Sequence, residues 1–184
     1  MLRGNRELRL ALLAIILITV IYGAVILLTR SIPPASELFG HGLGIIGFIF
    51  MLMTETLYSL RKRSRSVKWG RMSNWLQFHI FTGLVGPYMV LLHTSWKFNG
   101  IAGVTTLFTI IIVVSGFKGR YIFTRIPRTM DGLEIEDTLS QEALKQARRL
   151  MALWHSIHIP IGVALFISAF VHIGAALYYG GFLK

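Results

Sequence analysis

Four histidines in two equally spaced pairs are the residues of this chain best suited to chemistry. His93 follows His79 by fourteen positions, and His172 follows His158 by the same interval. On a helix, fourteen steps return to within roughly 40° of the starting direction and cover about 21 Å along the axis. Each pair therefore lies on one helix face at two depths. Imidazole is a preferred axial ligand of haem iron, so the pattern predicts two bis-histidine haems b between two helices.

The elements that carry these histidines are apolar enough to cross a bilayer. Of the 184 residues, 54% are hydrophobic, and the mean hydropathy is +0.62. Long apolar runs are typical of integral membrane proteins. We therefore expect an all-α integral membrane fold with five transmembrane helices in a bundle around two stacked haems, as a single domain over residues 1–184. The predicted spans are Leu10–Leu28, Leu38–Leu60, Trp75–Trp96, Ile101–Phe117 and Leu150–Tyr179.

Composition excludes several functions. The chain has no cysteine, which excludes disulfides, thiolate-bound iron–sulfur clusters, c-type haem attachment and thiol catalysis. The net charge of +11 could indicate nucleic acid binding. The basic residues, however, cluster between the apolar runs, as in cytoplasmic loops that face anionic lipid, so no nucleic acid partner is predicted. The first apolar run is predicted to stay as a span because Ile32-Pro33-Pro34-Ala35 is a poor signal-peptide cleavage site.

The distribution of Lys and Arg predicts the topology. Three precede the first span, six lie in 61–71 and seven in 118–149, against only Arg30, Lys97 and Lys184 on the other side. The positive-inside rule then predicts a multi-pass protein of the cell's inner (plasma) membrane, with a cytoplasmic N-terminus and the C-terminus outside. The third and fifth helices run parallel in this topology. His79 is thus expected to pair with His158 near the inner face, and His93 with His172 near the outer face.

Small and cationic residues near the histidines fit this prediction. Gly83 and Gly162 each follow the first histidine of their pair by four positions, and Gly86 lies midway along the first pair. Glycine leaves room for a flat macrocycle or for a closely approaching helix. Near the expected inner haem edge, the candidate partners of the propionates are Arg71, Arg120, Arg148 and Arg149. No residue is assigned a catalytic role.

Alternatives remain open for several polar residues. The four paired histidines could instead be polar packing residues that hydrogen-bond between helices. His155 competes with His158 as the inner ligand, but it lies about 100° away in direction from His172, so His158 is preferred. For His41 and His155, hydrogen bonding at the interface and a role at a quinone or propionate are equally plausible. Glu55 is expected to snorkel toward the basic loop, with a proton relay or quinone role as the alternative.

The polar segment 124–149 is predicted to be a cytoplasmic loop with a short surface helix. Thr138-Leu139-Ser140-Gln141 offers a capping box for that helix. The acidic group between Asp131 and Asp137 is either a solvated loop or a docking face for a partner.

With these histidines in place, the chain resembles the membrane cytochromes b. The positions on the third and fifth helices, with Trp75-Leu76-Gln77-Phe78-His79 and Trp154-His155-Ser156-Ile157-His158, look most like the ferric-reductase-like transmembrane family. The five-helix dihaem subunits of respiratory nitrate reductases are a structural analogue. The family commonly has six helices and a flavin and nicotinamide module. This sequence shows five spans and no Gly-rich dinucleotide fingerprint.

The resemblance implies transmembrane electron transfer. The chain is expected to be the electron-transfer subunit of an oxidoreductase complex in the lipid bilayer. It would exchange electrons with a quinone or with a peripheral flavoprotein, iron–sulfur protein or cytochrome. The rival hypotheses are a membrane anchor or assembly subunit without haem, and a transporter that uses a histidine relay.

Overall fold

The computed structural model describes residues 6–63, 70–125 and 141–179, and these residues form helices without any strand. Each helix is long and apolar enough to cross a membrane, by length and composition. This confirms the all-helical fold of the described residues, and the five helices fit the multi-pass membrane protein predicted from the sequence. The predicted features in 64–69 and 126–140, including the acidic group and most of the capping box, lie outside the described residues. The helices are α1 (Arg6–Thr29), α2 (Leu38–Arg63), α3 (Met72–His93), α4 (Gly100–Arg125) and α5 (Gln141–Tyr179).

Helix α3 ends at His93, three residues earlier than the apolar run suggested. Ser95 and Trp96 adopt φ angles of 49° and 63°, in the left-handed region that cannot continue a right-handed helix. The Ser95 hydroxyl donates to the carbonyl oxygen of Pro33 at 2.6 Å, which ties this turn to the connection before α2. His93 therefore lies in the last turn of its helix, where the chain changes direction.

Helix α5 begins at Gln141 and continues for 39 residues. The described part of the predicted surface helix, 141–149, is thus continuous with the fifth span rather than separate from it. At about 1.5 Å per residue α5 is roughly 58 Å long, whereas a bilayer's hydrocarbon core is about 30 Å thick. Its first turns therefore extend well beyond an apolar span of ordinary length.

The helices fall into two compact units. The first unit contains α1, α2 and α3, and the second contains α4 and α5. The expectation that residues 1–184 form one dihaem domain stays a prediction. His79 and His93 both lie on α3, and His158 and His172 both lie on α5, so each unit carries one complete pair of equally spaced histidines.

Glycine permits close packing of α2 on α3 in the first unit. A Cβ atom added to Gly47 would lie 2.8 Å from the Gly86 carbonyl oxygen, and one added to Gly86 would lie 2.9 Å from the Gly47 carbonyl oxygen. Small residues at such crossings let helix backbones approach, which is how membrane helices gain packing energy without a hydrophobic driving force. Helix α1 packs on α3, where the hydroxyls of Thr19 and Tyr88 are hydrogen-bonded at 2.5 Å.

The second unit is an antiparallel pair of helices in which α4 packs along α5. Leu165 and Ala169 are buried on α5, and the buried polar residues of α4 are Thr105, Thr106 and Thr109. Each of these threonines donates its hydroxyl hydrogen to the carbonyl four residues earlier. The buried hydroxyls are therefore satisfied within α4, so they need no partner on a neighbouring helix.

Candidate functional site

His79 of α3 is held by the backbone of α2. Its Nδ1 atom lies 3.0 Å from the carbonyl oxygen of Thr54, and the ring of Tyr58 lies 4.8 Å from the imidazole, centroid to centroid. A carbonyl oxygen only accepts hydrogen bonds, so Nδ1 must carry the hydrogen. In the neutral ring, Nε2 is then the nitrogen with the lone pair that a metal requires.

Two threonine hydroxyls fix the stretch of α2 that supplies this carbonyl. Thr54 donates to the hydroxyl oxygen of Thr82 at 2.7 Å, and Thr82 donates to the carbonyl oxygen of Phe78 at 2.9 Å. Thr82 is almost fully buried, with 2% of its surface exposed. Because these bonds join α2 to the turn of α3 just after His79, they hold the Thr54 carbonyl in register with the imidazole.

His93 is held in the same way at the other end of α3. Its Nδ1 atom donates to the carbonyl oxygen of Gly40 at 2.8 Å, and its ring lies directly against Gly44. A Cβ atom at Gly44 would lie only 2.8 Å from the ring's Cγ atom, so the absence of a side chain there makes room for the imidazole. His41 meets the same ring edge-on at 6.2 Å between centroids.

Both imidazoles of α3 thus have the tautomer that suits an iron ligand. Histidines that bind metals almost always donate the N–H of their other ring nitrogen to a carbonyl, carboxylate or water. That hydrogen bond fixes the orientation of the ring and makes it a stronger electron donor to the metal. Helix α2 supplies that acceptor twice, at two depths of one helix pair. The donor set of half-buried, oriented imidazoles therefore fits axial ligation of haem.

His158 of α5 has a different partner. Its Nδ1 atom lies 2.9 Å from the hydroxyl oxygen of Ser115 on α4. The indole of Trp154 stacks on the imidazole at 4.5 Å and 30°, and its Nε1–H donates to the Ser115 carbonyl oxygen at 2.8 Å. A Cβ atom at Gly119 would overlap this indole, so the glycine provides the space for Trp154. His158 is thus held by side chains.

His172 lies half-buried near the end of α5, seven residues before Tyr179. Within the described parts of the chain it makes no hydrogen bond. Of the four predicted ligands, three have an oriented ring and the fourth is placed by packing alone.

Comparisons with protein-family models, with curated proteins and with solved structures each found no match. The resemblance to the ferric-reductase-like family therefore stays a prediction. Among the described residues, no three His, Asp or Glu side chains converge as a metal-ion site. A haem does not need such a cluster, since its macrocycle supplies four ligands and the protein only two.

The predicted glycines meet neighbouring helices within their own units. Gly86 faces Gly47, as described above, and a Cβ added to Gly83 would lie 3.4 Å from the Thr54 Cγ2 atom. A Cβ added to Gly162 would lie 3.9 Å from the Ile112 side chain. Gly86 thus permits the close approach of α2, and a role of these glycines beside a macrocycle stays a prediction.

The predicted cations lie near the ends of their helices. Arg71 is the exposed N-cap residue of α3, eight positions before His79. Arg120 is half-buried on α4 and directly follows Gly119 in the chain. Their proposed role with propionates stays a prediction, as do the roles of Arg148 and Arg149 on the first turns of α5.

The residues with open roles are also placed. His155 lies beside Trp154, with 4.8 Å between ring centroids, whereas His158 is the histidine bonded to Ser115. Glu55 is exposed on α2, and its Oε1 atom accepts a hydrogen bond from Ser59 at 3.4 Å.

Sequence reasoning missed the residues that hold the histidines. They are Gly40, Gly44, Thr54, Tyr58, Ser115, Gly119 and Trp154. The available signal was hairpin register: in two antiparallel helices, positions equally far from the connection face each other. Applied to α2 and α3, that rule places Gly44 opposite Leu91 and Tyr58 opposite Gln77, in each case two residues before the histidine that it contacts.

Proposed function

We propose that this chain is a dihaem membrane cytochrome b that carries electrons across the bilayer as the membrane subunit of a redox complex. The observation that carries the proposal is the pair of carbonyl-anchored imidazoles on α3. Nδ1 of His79 and Nδ1 of His93 each donate a hydrogen bond to an α2 carbonyl, so in each ring Nε2 carries the lone pair that would bind iron. The two histidines lie about 21 Å apart along the helix axis.

The matched spacing on α5 supplies the second ligands of the proposal. His79 and His158 would hold one haem b, and His93 and His172 the other, because parallel helices bring equal spacings to equal depths. Haem b, when bound, supplies a one-electron couple between ferric and ferrous iron. Two carbonyls of α2 and the Ser115 hydroxyl would orient three of the imidazoles, and the apolar helices around them would exclude water; both influence the potential of such a couple.

Cationic residues at the basic ends of the helices complete the proposed sites. Arg71 and Arg120 are candidates to pair with propionates through charge-assisted hydrogen bonds. The concentration of positive charge supports a cytoplasmic location for these ends in the plasma membrane. A quinone in the bilayer, or a peripheral flavoprotein, iron–sulfur protein or cytochrome, would exchange electrons with the chain. The ferric-reductase-like family remains the proposed affiliation, on the tryptophan-to-histidine motifs of α3 and α5.

Haem stoichiometry tests this proposal directly. A pyridine haemochrome assay on the purified protein should find two haems per chain, extractable with acidic acetone because no cysteine can attach them. A colourless protein would instead support the haem-free anchor or the histidine-relay transporter. One haem per chain would overturn the dihaem proposal.

Histidine variants test the pairing. His79→Ala and His158→Ala should each remove the same spectral component, and His93→Ala and His172→Ala should each remove the other. His155→Ala is the matched control, since it removes a neighbouring imidazole of α5 and should keep both haems. If His79→Ala and His172→Ala deplete the same component, the proposed pairing is wrong.

Labelling of single cysteines tests the orientation in the cysteine-free chain. An impermeant thiol reagent applied to intact cells should label a cysteine at Phe182 and should not label one at Ser66. The reverse pattern would invert the topology.

A further inference from the structure

The four proposed ligands differ in the chemical nature of what holds Nδ1. For both histidines of α3 the acceptor is a backbone carbonyl of α2. For His158 the partner of Nδ1 is the hydroxyl of a single side chain, Ser115, at 2.9 Å. A carbonyl is present whatever residue occupies the position, whereas a hydroxyl is lost by one substitution. His158 is thus the ligand whose hydrogen bond depends on residue type.

Ser115 is itself held in place by the residue that stacks on the imidazole. The indole N–H of Trp154 donates to the Ser115 carbonyl oxygen at 2.8 Å, while the indole ring lies 4.5 Å from the imidazole of His158. Trp154 precedes His158 by about one helical turn, so both side chains point to the same face of α5. The three residues form a closed cluster in which α4 contributes Ser115 and α5 contributes the two rings.

We propose that Ser115 and Trp154 are positioning residues that set the ring orientation and the electron-donating strength of His158, and hence the potential of one haem without affecting the other. The inference rests on the proposed function, because it takes His158 as an axial ligand. When Nε2 of His158 binds iron, Nδ1 keeps the hydrogen and donates it to the hydroxyl oxygen of Ser115. That bond makes the imidazole a stronger donor, which favours ferric iron and lowers the potential.

The decisive experiment is a redox titration of Ser115→Ala, followed optically and by the low-spin ferric signals in electron paramagnetic resonance. The variant should retain both haems. One component should titrate at a more positive potential, with a shift of its own resonance, and the other component should be unchanged. Ser115→Thr keeps the hydroxyl and should restore the original potential.

Ser168→Ala is the matched control. Ser168 also lies on a helix of the second unit, but its hydroxyl donates only to the carbonyl oxygen of Leu165 in its own helix, at 2.8 Å. The same Ser-to-Ala change there should leave both components where they are. Trp154→Phe keeps an aromatic ring for stacking and removes the N–H donor, so it should shift the same component as Ser115→Ala, by less.

The outcomes separate the inference from the proposed function. A wild-type protein without haem would overturn both. A dihaem wild type whose Ser115→Ala variant has unchanged potentials, or shifts both components equally, would overturn the inference alone. Loss of one haem in Ser115→Ala that Ser115→Thr restores would support a positioning role. Equal loss in both variants would overturn it.

Discussion

The two helical units hold their histidines by different means. In the first, α2 offers the backbone carbonyls of Thr54 and Gly40, and the atom that bonds each imidazole is not part of a side chain. In the second, α4 offers the hydroxyl of Ser115, and Trp154 stacks on the ring that it binds. A backbone anchor tolerates changes of residue type at the position that supplies it, while a side-chain anchor does not. Loss of a polar group should therefore affect the bonded histidine directly only in the second unit, whereas added volume can disturb a histidine in either unit.

The largest effect on haem binding is expected for Gly44→Ala. Its new Cβ atom would meet the His93 ring at 2.8 Å, so the ring must move away from the Gly40 carbonyl. Overpacking of this kind typically costs about 1–3 kcal/mol. The haem component that depends on His93 should be lost or strongly depleted in the visible spectrum, with a lower unfolding temperature.

Gly42→Ala provides the control for that variant. A Cβ atom there has no neighbour within 4 Å, and the substitution brings the same gain in intrinsic helix propensity. Equal haem content in the two variants would show that the packing of the His93 ring on Gly44 is unimportant for haem binding, and would contradict the predicted sensitivity of the first unit to added volume.

A smaller effect on the haems is expected for Gly119→Ala in the second unit. The added methyl group would overlap the Trp154 indole, which must then leave Ser115 or tilt on His158. The ligand ring is disturbed only indirectly, so both haems should remain bound, with one altered resonance in paramagnetic spectra. Gly116→Ala, three residues earlier on α4, has open space at its Cβ atom and should have a normal spectrum. Matching spectra for the two variants would contradict the role of Trp154.

The smallest effect on the haems is expected for Thr54→Val. The variant loses the hydroxyl bond to Thr82 but keeps the carbonyl that accepts from His79. Interhelical hydrogen bonds in membranes are worth about 0.6–1.7 kcal/mol, so thermal stability should fall modestly. The potential of each haem should stay the same, in contrast to Ser115→Ala. A shift as large as that of Ser115→Ala would show that side chains also control the first unit.

The sequence alone predicted the helices and the shared face of His79 and His93, which both bond to α2, because apolar length and the 100° step are local properties. The shared face of His158 and His172 stays a prediction. The sequence did not predict the anchors of His79 and His93, since a carbonyl partner has no residue type to recognise. Ser115 was overlooked because its role depends on the register between α4 and α5. The end of α3 was placed too late because Ser95 and Trp96 give no local signal for left-handed backbone.

The continuity of α5 has a consequence for whatever binds its first turns. Because residues 141–149 belong to the same helix as the membrane span, the number of residues between them and the span determines both their distance from it along the axis and their direction around the axis. One residue inserted after Arg149 would swing Lys145 and Arg148 by about 100° while raising them only about 1.5 Å. Four residues would raise them by about 6 Å and restore the heading to within roughly 40°. Comparing insertions of one and four residues therefore distinguishes whether a contact at this end of the helix depends on distance along the axis or on direction around it.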